Sequence, residues 1–274
     1  MRGKTFVRRT LKGECIYCQK RSKALTKEHI IPRGLGGNIT LRSASCPKCQ
    51  KVIHKYETKV MRECLGPGRY KLGIRSRSSK DRPTTFPAIK AGSKGAETVD
   101  IPLSELPFFM LMPVFKTWPT LHSVISADHE PAPENGIILI GRDMDLLNAK
   151  LKEHSAEGLD LKFDLIDFGR MLAKIALGYC VKEFGYGRFI PFTGAFVTNE
   201  HNGFTQLISS SVLKTPAAEN PFVPTPGYNH SISHLINRGK VYVKIELFSN
   251  LGAPAYYVQS GILDKGNWYQ VSWS

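Results

Sequence analysis

Four cysteines near the start of the chain have the types and the spacing of a metal site. They form two Cys-x2-Cys pairs, Cys15/Cys18 and Cys46/Cys49, in a chain of 274 residues. Two short cysteine knuckles that present four thiolates are the usual way to build a closed, tetrahedral zinc site. The spacing therefore predicts a structural zinc ion with these four ligands.

The 27 residues between the two pairs are more than a minimal zinc ribbon needs, and they carry a carboxylate beside an imidazole. The segment 26–32, Thr-Lys-Glu-His-Ile-Ile-Pro, is typical of a short strand that presents Glu28 and His29. Adjacent side chains on a flat strand point to opposite faces. A bend at the strand end, before Pro32, is needed if both are to serve one site.

The order of these parts resembles a known family. Cys-x2-Cys, then Glu-His-Ile-Ile-Pro, Gly-Gly-Asn and a second Cys-x2-Cys resemble the zinc-stapled HNH endonucleases, with their ββα-metal fold, over about residues 12–62. The resemblance implies metal-dependent hydrolysis of a phosphodiester bond, with Glu28 as a metal ligand and His29 as the general base. A histidine titrates near neutrality, so His29 can be a neutral base at physiological pH.

The second ligand of a catalytic divalent ion, Mg or Mn, is expected on the helix that follows the second knuckle. Gln50 and His54 are four residues apart and share one helix face. Family members commonly place His or Asn directly after the last cysteine, where this chain has Gln50. We therefore prefer His54, with Gln50 and Glu57 in reserve. Asn38, after the Gly-Gly turn, is a candidate for orienting the His29 loop or the scissile phosphate.

The net charge of +15 is concentrated in the first third of the chain. Residues 1–82 contain 22 lysines and arginines against 5 acidic residues, a balance of +17, while the remainder balances at −2. A basic segment joined to a neutral one is typical of polyanion binding. The residues expected to bind nucleic acid, with double-stranded DNA favoured over RNA by the resemblance, are Arg8, Arg9, Lys27, Arg33, Lys48, Lys51 and Lys55.

The coarse pattern predicts an α+β protein with two domains. We expect a small zinc-stapled ββα-metal domain over residues 1–66 with a basic N-terminal arm, a basic linker over 67–100, and a larger mixed α+β domain over 101–274 with a β-rich C-terminus. Helices are predicted over about 49–64 and 162–184. A tight hairpin turn is predicted at residues 237–239.

The second domain carries no catalytic motif, so target recognition, oligomerisation and sensing of a regulatory partner stay open for it. No apolar run is long enough to cross a membrane, and no export signal is visible. Cysteines in knuckle spacing then favour a cytoplasmic protein. The alternative to a nuclease is a zinc-stabilised nucleic-acid-binding protein without cleavage activity, which the Gln50 departure keeps open.

Overall fold

The computed structural model describes seven segments, 11–74, 83–92, 95–125, 127–141, 143–200, 207–214 and 228–263. Within them, the strands β1 to β13 are, in chain order, Thr26–His29, Thr40–Ser45, Thr85–Gly92, Gly95–Pro102, Phe109–Val114, His129–Pro131, Gly136–Gly141, Gly158–Leu159, Phe189–Pro191, Ile208–Leu213, His230–Asn237, Lys240–Leu247 and Ala255–Leu263. The helices α1 to α5 are Pro47–Glu63, Gly66–Lys71, Met144–Glu153, Leu165–Phe184 and Gly194–Val197. Three short 3-10 helices are Arg33–Leu35, Pro119–Val124 and Ser249–Leu251.

The N-terminal part has the predicted ββα order. Strands β1 and β2 pair antiparallel, with His29 opposite Thr40, and α1 follows directly after Cys46. Pro47 at the first helical position suits a helix start, because its missing N–H would have no partner there. The α+β class is confirmed, with the ββα part of about residues 12–62 (the HNH-like unit) first and a β-rich C-terminal region.

The C-terminal region is built on a six-stranded sheet. Its order is β11-β12-β13-β10-β6, and β9 pairs with β13. The predicted turn is present, since Asn237 pairs with Lys240 across a two-residue loop. Arg238 and Gly239 have φ values of 49° and 76°, the left-handed conformations that such a loop needs at both positions.

The segment expected to be a linker contains regular structure. The Gly66-Pro67-Gly68 sequence does end α1, but it also begins the short helix α2. Strands β3 and β4 then form an antiparallel hairpin, because Phe86, Ala88 and Ile101 find a buried cluster to pack into. The basic residues 75–82 lie outside the described residues.

One hydrophobic cluster joins the HNH-like unit to the rest of the chain. It contains Ile30 and Ile53 from the N-terminal unit, Ile175 from α4, and Val243 and Val258 from the large sheet. Helix α4 begins at an Asp164 cap, whose carboxylate accepts hydrogen bonds from two backbone N–H groups. The division into domains at 66 and 101 stays a prediction, but α4 supplies part of the environment of the predicted site.

His230 makes a second connection between the large sheet and the HNH-like unit. Its Nδ1 accepts a hydrogen bond from the Phe248 N–H at 3.1 Å, so Nε2 donates to the Leu35 carbonyl at 2.8 Å. Burial lowers the pKa of His230, because removal from water disfavours the charged ring, although the hydrogen bond to Leu35 acts in the opposite direction. The neutral ring also fits this pair of contacts, since a protonated Nδ1 would point an N–H at the Phe248 N–H.

We expect this contact to weaken in acid. The unfolded chain binds the His230 proton more tightly, so the free energy of unfolding should fall as the pH drops through the ordinary histidine pKa and level off below the folded one. The expected contribution is about 1 kcal/mol, the size of one hydrogen bond. Urea unfolding at pH 7.5 and 5.5 checks it: the decrease should be smaller in His230→Gln than in the wild type. Equal decreases in both proteins would contradict the assignment.

Candidate active site and metal centre

The four predicted zinc ligands converge in the structure. The Sγ atoms of Cys15, Cys18, Cys46 and Cys49 all lie within 4.8 Å of one another. The Sγ atoms of Cys18 and Cys46 are 3.8 Å apart, which is about the edge of a tetrahedron with Zn–S bonds of about 2.3 Å. Among the described residues, this is the one group of three or more potential ligands with such spacing. The cysteines are thus placed to bind a metal ion, consistent with structural zinc.

The local fold explains why the four thiols meet. The first pair lies in a tight turn, where the Gln19 N–H donates to the Cys15 carbonyl. The second pair lies at the N-terminus of α1, and the Cys46 N–H donates to the Cys15 Sγ at 3.4 Å. A hydrogen bond with Cys49 lowers the pKa of the Cys15 thiol to about 5. Backbone donors around a sulfur favour the thiolate form that a metal binds.

Strand β1 presents Glu28 and His29 on opposite sides, as strand geometry requires. Glu28 is buried, whereas the His29 side chain is only partly covered. Within the described part of the chain the imidazole makes no hydrogen bond, so it stays available to an incoming group. Partial burial, together with the positive charges of Lys27 and Lys174, lowers the pKa of His29. The ring is therefore neutral at pH 7 and can accept a proton.

The Glu28 carboxylate has close partners on both oxygens. Its Oε2 accepts a hydrogen bond from the Ser45 hydroxyl at 2.8 Å. Its Oε1 is 2.9 Å from the Nζ of Lys174, a lysine of α4 whose side chain is 1% exposed. A divalent ion would have to compete with the Lys174 ammonium for this buried carboxylate, and the two positive charges would repel each other. In this arrangement Glu28 does not fit the divalent ion that the resemblance implies.

The other candidate residues are on α1 and in the segment before β2. His54 is exposed on α1, and Gln50 donates from its side-chain amide to the Lys27 carbonyl at 3.3 Å. Gln50 thus contacts the backbone of β1 next to Glu28. Asn38 is exposed in the segment before β2, close to the backbone pair in which the Ile30 N–H donates to the Ile39 carbonyl. No described group of three includes Glu28, His29 and His54 as joint ligands.

The predicted nucleic-acid contacts are on the surface. Five of them are exposed and have no acidic partner within the described residues; they are Lys27, Arg33, Lys48, Lys51 and Lys55. Three of these are on or next to the first turns of α1, and Lys27 is two residues before His29. Arg8 and Arg9 lie outside the described residues. The exposed cations therefore lie on the strand that carries the imidazole, just after it, and on α1.

The sequence analysis missed the most buried charge near the site. The sequence predicts a helix over about 162–184 and gives Lys174 no role in it, although Lys174 interrupts the apolar run Leu172-Ala173-Lys174-Ile175-Ala176. A lysine inside such a run is rarely buried without an anionic partner. That rule predicts a buried carboxylate opposite α4, but it does not identify Glu28 and Glu57 as the partners.

Comparisons with known proteins agree with the site geometry. Residues 15–65 match a family model described as HNH endonuclease, which confirms the resemblance over the zinc knuckles, the hairpin and α1. Searches of curated proteins and of solved structures gave no match. The match and the cysteine cluster indicate a nuclease or another function related to nucleic acid for this unit. None of the described helices combines the length and hydrophobicity that a membrane crossing requires.

Proposed function

We propose that the protein is an HNH endonuclease that hydrolyses phosphodiester bonds in nucleic acid, with DNA as the favoured substrate. The observation that carries the proposal is the His29 imidazole at the end of β1, open and kept neutral by its surroundings. It lies within the residues that match the HNH model. A general base needs a neutral ring and access to its proton donor, and His29 has both.

The described residues have separate roles in hydrolysis. His29 takes a proton from the attacking water. The exposed cations Lys27, Arg33, Lys48, Lys51 and Lys55 bind phosphates beside it, so affinity should fall with added salt. The zinc-bound cysteines hold the turn before β1 against the start of α1, which fixes the hairpin between them.

Mg or Mn is the divalent cofactor that the family resemblance implies. When bound, such an ion supplies Lewis-acid stabilisation of the phosphoryl oxygens. His54 and Gln50 stay proposed ligands because they share one face of α1 and Gln50 contacts the backbone of β1. Glu28 is not assigned to the ion, since Ser45 and Lys174 occupy its oxygens.

A zinc-stabilised nucleic-acid-binding protein without cleavage activity is the alternative. Two observations favour it: Gln50 stands where family members commonly have His or Asn, and the Glu28 carboxylate already has a cationic partner. The exposed lysines and the zinc knuckles would serve either function. The C-terminal region, with its six-stranded sheet, would then be a module for target recognition, self-association or a regulatory partner in the cytoplasm.

Cleavage of supercoiled plasmid by the purified zinc-loaded protein separates the two functions. The nuclease predicts nicking or linearisation that depends on added Mg or Mn and is lost in His29→Ala. Salt-sensitive DNA binding without cleavage in any metal would contradict the nuclease. DNA binding measured on the same preparations shows whether a protein that does not cleave is folded and still binds DNA.

A further inference from the structure

Lys174 is a buried ammonium at the junction of β1, α1 and α4. Its Nζ lies 2.9 Å from Glu28 Oε1 and 3.0 Å from Glu57 Oε1. Burial alone would lower the pKa of Lys174, but the two carboxylates, Glu57 first, outweigh it and raise the pKa. A buried ion pair persists when further hydrogen bonds satisfy its remaining protons. Lys174 meets this condition.

The remaining contacts of Lys174 are with the backbone of the predicted catalytic strand. Its ammonium donates to the carbonyl of His29 and to the carbonyl of Ile30 at 3.2 Å. The His29 carbonyl belongs to a peptide group that flanks the His29 Cα, and the Ile30 carbonyl to the one after it, so Lys174 holds the backbone from which the His29 side chain leaves. Helix α4 is close enough here that Gly178, one turn after Lys174, faces Ile30. The holding group therefore comes from outside residues 15–65.

Glu28 completes the same arrangement from the side of β1. Because one oxygen accepts from Ser45 and the other faces Lys174, the carboxylate bridges β2 and α4. Glu57 brings α1 to the same ammonium. Three elements of the HNH-like unit are thus joined at a single charge on α4, next to the backbone of His29.

We propose that Lys174 is a positioning residue of the nuclease, which takes Glu28 and Glu57 as counterions and holds the carbonyls of His29 and Ile30 so that the imidazole faces the substrate. This inference rests on the proposed function of His29. It also assigns Glu28 to the lysine and not to a divalent ion. Helix α4 is then part of the catalytic unit, although the family match ends before it.

Lys174→Met and Lys174→Arg test the inference, with Lys59→Met as the matched control. Lys59 also joins α1 to α4, through Asp164 at 2.8 Å and Asp167 at 3.2 Å, but none of its ion-pair or hydrogen-bond contacts reaches β1. We expect Lys174→Met to lower kcat for plasmid nicking about 100-fold, as misplacement by about 1 Å can do. DNA affinity and KM should stay within about twofold. Lys174→Arg should recover part of kcat, and Lys59→Met should cleave like the wild type.

Two further measurements keep the inference open to refutation. Lys174→Met leaves the carboxylates of Glu28 and Glu57 without their cation and can unfold for that reason, so the charge-neutral variant Lys174→Met/Glu28→Gln/Glu57→Gln is made beside it. Loss of folding in both would show that Lys174 is only structural. An unchanged kcat in folded Lys174→Met, or a loss confined to KM, would also overturn the proposal.

The failure of the proposed function can be told apart from the failure of this inference. The His29 ring signal in a carbon–proton NMR spectrum, assigned by its absence in His29→Ala, should shift in Lys174→Met and not in Lys59→Met, whether or not the protein cleaves DNA. An unmoved signal overturns the positioning role. Titration with Mn2+ tests the assignment of Glu28: equal affinity, or none, in wild type and Glu28→Gln supports it, and affinity lost only in the variant overturns it.

Discussion

Replacement of Cys49 by serine is expected to abolish zinc binding and to destabilise the HNH-like unit. The wild type should contain one zinc per chain and the variant close to none. A structural zinc contributes folding free energy directly, with apparent binding energies of about 10–16 kcal/mol in small zinc modules. The four Sγ atoms come from two segments, the turn at Cys15–Cys18 and the start of α1. An ion bound by all four would hold these two segments together.

The size of the effect depends on the contacts that stabilise the β1–β2 hairpin in the absence of zinc. Strands β1 and β2 form a sheet of only two strands, which is marginally stable on its own. Packing of α1 on α4, with the Lys59 ion pair and the buried Ile53, will retain part of the structure. We therefore expect a loss of several kcal/mol, a decrease in melting temperature on the order of 10 °C, and loss of any cleavage.

Zinc content by mass spectrometry and thermal unfolding by circular dichroism check this expectation. Cys180→Ser is the matched control, because Cys180 is also a buried free thiol but lies on α4, outside the cysteine cluster. It should keep one zinc per chain. A Cys49→Ser protein that holds zinc with unchanged melting would show that the cluster is not a four-ligand site.

The zinc site and the hairpin could be predicted because the information is local. Paired cysteines fix two knuckles regardless of the surroundings, and the Gly-Gly turn follows from backbone geometry. Gly36 has a φ of 86°, which glycine adopts without strain. A Cβ on Gly37 would lie 2.1 Å from the Ile31 carbonyl oxygen. Such backbone positions favour glycine, so they can be recognised in the sequence.

The environment of Glu28 could not be predicted because its partner is distant in the chain. Lys174 lies 146 positions after Glu28, and its contact depends on how α4 packs against α1. The same limit applies to the hairpin β3–β4, because the Ser-rich and basic residues before it predict a linker. Phe86 on β3 and Ile101 on β4 are buried. They are buried because they pack in one cluster with Phe109 and Leu147, and this contact cannot be seen in the sequence.

Replacement of His29 by alanine is expected to lower the cleavage rate by about 100-fold to 10,000-fold, the usual contribution of a general base. The imidazole makes no hydrogen bond within the described part of the chain, so its loss should leave the melting temperature unchanged within about 2 °C. DNA affinity should also stay the same, because the exposed lysines on α1 are untouched. The loss should therefore appear in kcat and hardly in KM.

His122→Ala is the matched control for this variant. His122 is an exposed histidine in the 3-10 helix Pro119–Val124, outside the residues that match the HNH model. Both variants are purified by the same protocol and assayed on supercoiled plasmid with Mg and with Mn, so that a contaminating nuclease would be equally active in both. Cleavage lost in His29→Ala and kept in His122→Ala places the base on β1. Equal cleavage in the two variants would remove His29 from the mechanism, since no other partly open imidazole lies on a described strand of the HNH-like unit.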